Sequence, residues 1–315
     1  MGGTIRVTDI MKQHLDGAAP GYEANGWSNT HLKESTFQLN AQYDPKPDLV
    51  ESWITSSDGL TWTFTLRSGT KFHNGEPLTA RDVVGTMKRI QGHDGMIKTL
   101  IADFQDGDFD GHWKAVDDLT YEMTLDKFST FVLSSFTQPT ITGQLIVPEL
   151  EWSRPVTDVN NNAIGSGPFK LEQWIPGDRL IASRYEDYNS PPGSPSWQAG
   201  RKVAFADRIE MIIVPDVAAQ VAALKAGQLD VLSTPFGGDT ADQMKTDSNI
   251  VIHTVKFGTA RMSIWPKHSG EIFDDVRARQ ALRLALPSER MMIAAYGSSD
   301  YWRTCASMWT CDTFW

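Results

Sequence analysis

The stretch from Asp48 to Asp82, DLVESWITSSDGLTWTFTLRSGTKFHNGEPLTARD, leaves the chain few ways to fold. Thr61 to Leu66 alternates strictly, with Trp62, Phe64 and Leu66 on one face and Thr61, Thr63 and Thr65 on the other. Strand-forming residues at a period of two predict a half-buried strand. Ser57-Asp58-Gly59 precedes it as a tight turn, where Gly supplies the positive φ and Asp bonds its own backbone. The extended run closed by Trp53 and Ile54 lies before that turn. After a second turn, His73 to Pro77, the sequence Thr79-Ala80-Arg81-Asp82 carries a helix-start signal. Thr79 is the expected N-cap and Asp82 sits in the favourable first turn. The stretch reads strand, turn, strand, turn, helix start.

A chain of 315 residues has room for two or three domains and a sizeable core. The balance of 29 basic against 39 acidic residues gives −10, which argues against nucleic acid and anionic membrane surfaces as main partners. No run of about twenty apolar residues occurs, so no transmembrane helix is predicted. Met1-Gly2-Gly3 leads straight into Thr4–Val7, a first strand, with no secretory signal ahead of it. The chain therefore reads as a mature one, with Met1 an added or internal start. The eleven tryptophans suit either a ligand groove or a large core.

Taken in order, Thr4 to Ile10 reads as a strand. His14 to Asn29 reads as a loop whose Tyr22 and Trp27 form a ligand lip or tuck into the core. Thr30 to Leu39 is expected to be helical, and Pro45 and Pro47 to mark the crossing into a second unit. That unit holds the helix Ala80–Ile90, with Val83, Met87 and Ile90 on one side. Its later strand has Tyr121, Met123 and Leu125 on one face, and Phe128, Phe131, Val132, Leu133 and Phe136 are expected to pack against it. Gly165-Ser166-Gly167-Pro168 then returns the chain to the first unit. It suits an interdomain hinge, an ordinary loop being the other reading. Asp207 to Val214 is a buried strand. Asp216 caps a helix through Ala226, Gly227 ends it, and Leu229–Leu232 is a second strand. Ligands gather outside the carboxyl ends of such strands, where Ser233 and Thr234 stand as ligand hydroxyls or as caps. Val251 to Lys256 is expected to be a strand. The helix Asp274–Leu286 is expected to turn Val276, Ala281, Leu282 and Ala285 inward.

Motifs for chemistry are lacking. Gly165-Ser166-Gly167 is followed by a strand and not by Gly-Lys-Ser/Thr on a helix, so it is no phosphate loop, and it is no nucleophile elbow. Asp106, Asp108 and Asp110 alternate around Gly107 without the far Glu of a calcium loop. None of the seven histidines has zinc-ligand spacing, and His73, in the turn after a strand, reads as structural. No metal and no cofactor are expected.

The run DGLTWTFTLRSGTKFHNGEPLTARDVV, preceded by Leu-x-Glu-Ser-Trp, resembles the family 5 extracellular solute-binding proteins. These are the periplasmic peptide-, dipeptide- and nickel-binding components of ABC importers. The resemblance recurs at Gly165-Ser166-Gly167-Pro168-Phe169, at Ala226-Gly227-Gln228-Leu229-Asp230 and at Phe273-Asp274-Asp275-Val276-Arg277 with Gln280-Ala281-Leu282. It implies an α/β (mixed α+β) fold with lobes of the type II periplasmic binding proteins around a cleft. Residues 1–48 with 165–260 would form lobe I and 49–164 an inserted lobe II. Residues 261–315 would begin a lobe III that is incomplete here.

The resemblance also implies a ligand set. The loop bearing Tyr22 and Trp27 lines the cleft in that family, and the residues in the place of Ser233 and Thr234 approach the bound peptide. Thr259 to Trp265 resembles the strand that crosses into the third lobe, with Arg261, Met262 and Trp265 as candidates. Pro266 departs from the Asn often found next, and Arg261 reads equally as a carboxylate clamp or as a solvated strand residue. The hinge candidates Gly165, Ser166 and Gly167 complete the set. In an exported protein, as the resemblance implies, Cys305 and Cys311 would pair as a disulfide. The expected partners are a peptide or other small solute and a membrane permease, the expected location is the periplasm or a lipid anchor on the outside of the cell, and the expected state is a monomer. The competing class is a hydrolase acting on peptides or glycosides, for which no carboxylate pair stands out.

Overall fold

The computed structural model describes residues 2–9, 15, 29–91, 109–137, 145–155, 158–159, 162–233, 237–253 and 272–304. The chain divides into two compact units, Met1–Thr234 and Pro235–Trp315.

The first unit holds two four-stranded sheets. The second of these grows from the alternating stretch: β4 (Val50–Thr55), β5 (Thr61–Leu66), β6 (Trp113–Ala115) and β7 (Thr120–Thr124), in the order β4-β5-β7-β6. Phe64 and Leu66 point into the core and are essentially inaccessible, while Trp62 is half-buried and stacks on Phe64. Phe64 lies opposite Tyr121 in the register, their ring centroids 4.9 Å apart. The hairpin turn forms as its residues dictate. Gly59 sits at φ +74°, and Asp58 accepts from the Ser56 hydroxyl and the Leu60 amide. Val132 and Phe136 join this core as expected, but Phe128 and Phe131 are 66% and 60% exposed. The Phe128 ring lies over Gly59, whose missing side chain makes room for it.

Helix α2 (Ala80–Gln91) covers this sheet with Val83 and Met87. At its start the Asp82 carboxylate receives both the Thr79 amide, at 2.9 Å, and the Thr79 hydroxyl, at 2.8 Å. The reciprocal half of a capping box thus does the capping. Gly85, in mid-helix, is where the Trp152 ring lies against the helix; a Cβ there would overlap the indole.

The first sheet has the order β1-β10-β9-β8, from β1 (Thr4–Asp9), β8 (Phe169–Ile175), β9 (Arg179–Arg184) and β10 (Arg208–Ile213). β1 runs parallel to β10, and the other pairs are antiparallel. Val7, Phe169, Leu180, Ala182 and Met211 form its core with Leu15 and Leu32.

Several expectations give way. The helix expected over residues 30–39 is a single turn, α1 (Asn29–Leu32), followed by β2 (Phe37–Leu39). Every residue from Leu32 to Asn40 is buried, so the backbone takes long-range partners: Ile146 donates to Glu34, and Asp48 to Thr36. Tertiary pairing overrides local propensity there. Pro45 and Pro47 flank Lys46 in β3 (Pro45–Pro47), which pairs with β2 in a two-stranded ribbon that tolerates proline, and β4 of the second sheet follows directly. Leu229–Leu232 contributes one parallel bridge, Val7 to Val231, rather than a strand, and residues 251–253 have no regular structure.

In the helix Val217–Lys225, Asp216 caps as expected, accepting from Ala219 at 2.8 Å. The buried position is Gln220, while Val217, Val221 and Leu224 are half-buried. In the second unit the helix Val276–Ala285 is capped by Asp275, yet buries none of its residues. Val276 and Ala285 are exposed, so the expected inward face is not formed among the described residues. The helices Gly238–Met244 and Ser288–Tyr296 are also among the described residues of this unit.

Candidate functional site

The carboxyl edge of the first sheet is the place an α/β architecture reserves for ligands. There β1 lies between β10 and the single bridge at Val231. Ser233, exposed at this edge, donates its amide to the Thr8 hydroxyl at 3.0 Å and its own hydroxyl to the Thr8 carbonyl. The hydroxyl thus has a backbone acceptor and fixes the exit of the chain from the sheet. Thr234, Tyr22, Trp27, Arg261, Met262, Trp265, Cys305 and Cys311 lie outside the described residues.

Gly165, Ser166 and Gly167 form a buried seam between the two sheets. Gly167 donates to the Leu32 carbonyl at 2.9 Å, and a Cβ at Gly165 would overlap that same oxygen. His73 brackets the seam. Its amide donates to Gly165 O at 2.8 Å, its Nδ1 accepts from Gly165 N–H at 3.3 Å, and its Nε2 lies 3.0 Å from Gly167 O. This pattern requires the neutral tautomer with the proton on Nε2. Burial pushes the imidazole down to about 4, helped by the charges of Lys170 and Lys33 and resisted by the bond to Gly167. The structural reading of His73 fits this geometry.

Sequence patterning missed a cluster of buried charges beside the seam. Glu34 and Asp48 have fully buried side chains. Asp48 receives Lys202 Nζ on both oxygens, at 2.7 and 2.8 Å. Glu34 Oε1 receives Arg67 Nη2 at 3.2 Å and the Tyr188 hydroxyl at 3.0 Å. Arg67 also donates to the carbonyls of Asp48, at 2.6 Å, and Asn189, at 2.7 Å. Burial and the Asp48 charge together raise Glu34 to about 7, against the pull of Lys202, Arg67 and the Ser166 hydroxyl. A cavity of about 520 Å³ adjoins the cluster, lined by Lys46, Glu51, Asn189, Ser190, Ser194 and Ser196 among others. Arg67 stood within the conspicuous motif. Glu34 and Lys202 carried no local signal, because their partners come from distant segments.

Residues 44–301 match the family model described as bacterial extracellular solute-binding proteins, family 5 Middle, and the chain belongs to that family. A probable peptide ABC transporter periplasmic-binding protein of Sinorhizobium fredii is 30% identical over 292 residues, covering 90% of this chain and 53% of that protein. Heme-binding protein A of Haemophilus influenzae is 29% identical over 269 residues, covering 80% and 47%. Among solved structures, the ABC transporter substrate-binding protein CtaP of Listeria monocytogenes superposes with a TM-score of 0.67 at 22% identity, over 98% of this chain and 60% of that one. The chain spans about half the length of the curated relatives it matches.

Proposed function

We propose that the chain is part of a substrate-binding protein that captures a peptide or similar small solute between lobes for an ABC importer. The observation that carries the reading is the family match over residues 44–301. The relatives and the neighbour named above are binding proteins by name, which favours capture over the hydrolase alternative. Affinity would come from lobe closure, with backbone hydrogen bonds and side-chain pockets holding the solute. Closure must be stabilised by the loaded state for a permease to distinguish it from the empty one.

In this reading residues 1–48 with 165–260 form lobe I, 49–164 lobe II, and 261–315 the start of lobe III. The sheet membership of β1 with β8–β10, and of β4 with β5–β7, agrees with that division for the first two lobes. Tyr22, Trp27, Thr234, Arg261, Met262 and Trp265 would contact the solute. Ser233 would act by fixing the backbone ahead of Thr234, and Gly165–Gly167 by holding the crossing between the lobes. The protein would work in the periplasm as a monomer, with a disulfide between Cys305 and Cys311.

Native mass spectrometry of the full-length protein tests this. A copurified peptide or small solute, released on unfolding, is the expected result. Catalytic turnover of peptides or glycosides, without a retained solute, would overturn it.

A further inference from the structure

We propose that the outer edge of β4 is a docking strand for an extended polypeptide segment of a partner, apolar at its centre and basic towards its C-terminal end. In the order β4-β5-β7-β6, β4 has a strand on one side only. The Ser56 amide donates to Thr61 O, while the Leu66 amide turns the other way, to Leu119 O. The alternation of an antiparallel ladder then directs the backbone groups of Ser52, Ile54 and Ser56 towards β5. Those of Trp53 and Thr55 point outward, and no described strand receives them.

From Ser52 to Thr55 this edge carries no proline and no charge, the usual devices that blunt an edge strand. Trp53 is held from the core side by Phe37, edge-on with ring centroids 5.4 Å apart, so the strand is fixed before anything docks. Ile54, between the two outward-pointing residues, is 72% exposed. An added strand sets one side chain directly opposite Ile54, in a non-hydrogen-bonded pair where cross-strand side chains come closest. An apolar residue suits that position.

At its N-terminal end β4 runs into the cavity of about 520 Å³. The register slips between Val50 and Ser52, and the bulge makes Glu51 part of the cavity wall with Lys46, Asp48 and Arg67. Asp48 is taken by Lys202, Arg67 by Glu34, and Lys46 lies 3.6 Å from Asp44. Glu51 is exposed and enters no ion pair among the described residues. Every pair in this sheet is antiparallel, and a strand added in the same sense brings its C-terminal end to the bulge. A lysine or arginine there meets the Glu51 carboxylate, which sets the charge of the partner. The mode is strand addition: main-chain bonds to Trp53 and Thr55 hold the segment, while Ile54 and Glu51 select it. It does not depend on which solute the protein captures.

The test titrates the 315-residue chain with a labelled, end-blocked peptide, Thr-Thr-Val-Thr-Lys-Lys-Thr. Saturable binding by the wild type is expected. Glu51→Lys and Ile54→Lys should each weaken it about fivefold or more, as should glutamate in place of both peptide lysines. Thr55→Pro removes an N–H that the sheet does not use, so the chain should fold and bind about tenfold more weakly. No saturable binding by the wild type, or unchanged binding by a folded Thr55→Pro chain, overturns the proposal. Should Thr55→Pro not fold, a peptide N-methylated at the two threonines flanking valine decides. Lost affinity supports the docking strand, and unchanged affinity overturns it.

Discussion

His73 and Gly165 are hydrogen-bonded to each other twice, backbone amide to carbonyl at 2.8 Å and glycine amide to imidazole Nδ1 at 3.3 Å. A turn of the second sheet is thereby locked to the segment that re-enters the first. The lock works only while the ring is neutral, because a protonated Nδ1 would confront a second N–H donor.

Replacing His73 with Ala should therefore cost about 2–4 kcal/mol, from the cavity and from two seam groups left without partners. A urea denaturation series checks the size. The pH dependence is also specific. The native imidazole sits at about 4 against 6.5, so its contribution is present above 6.5 and is lost as pH falls towards 4. Its limit is about 3 kcal/mol. Glu34 slopes the other way over nearly the same window, between 4.5 and about 7. Wild-type stability should thus vary little there, and His73→Ala should become relatively more stable in acid.

Gly165→Ala should be among the most damaging single methyl additions in the chain, about 4 kcal/mol or more, since the new atom overlaps the Leu32 carbonyl oxygen. Gly177→Ala is the control. Gly177 has φ +77° but open space around it, so only backbone strain of about 1 kcal/mol is expected. Thermal melts of the two variants should separate clearly.

Lys202→Met should destabilise by about 3–5 kcal/mol, because Asp48 would remain buried without its countercharge. Adding Asp48→Asn should restore roughly half of that loss. A double-mutant cycle in urea gives both numbers, and strict additivity would show that the pair is not coupled.

Asp216→Ala should cost about 1 kcal/mol by removing the bond to the Ala219 amide. Circular dichroism with denaturation reads it, and Asp216→Asn should retain most of the stability.

Legibility in the sequence followed the range of the interactions. β5 and the hairpin turn were readable because Thr61–Leu66 alternates and Asp58-Gly59 carries its own turn chemistry. The cap at Asp216 was readable for the same reason. Residues 34–39 misled, because their backbone partners lie in residues 45–50 and at 146, outside the i+4 reach of a helix. Gln220 carries no signal of its own in the sequence, and its amide nitrogen donates inward to Val214 O at 2.6 Å. Ser233 draws attention in the sequence by its place after a strand-like run, as a ligand hydroxyl or a cap. Its bond to Thr8 does not, since that pairing joins residues 225 positions apart. The charge cluster around Glu34 was hidden because it draws on segments near residues 34, 48, 67, 188 and 202.

The segment from Tyr185 to Lys202 bears on how this unit comes apart. Tyr185 and Asn189 are covalently continuous with one sheet and donate to the Phe72 and Ser68 carbonyls beyond β5 of the other, while Arg67, next to β5, reaches back to the buried Glu34. Melting either sheet would strip the partners from buried ions in its neighbour, so the two should cross the transition together, as a single calorimetric peak rather than a staircase.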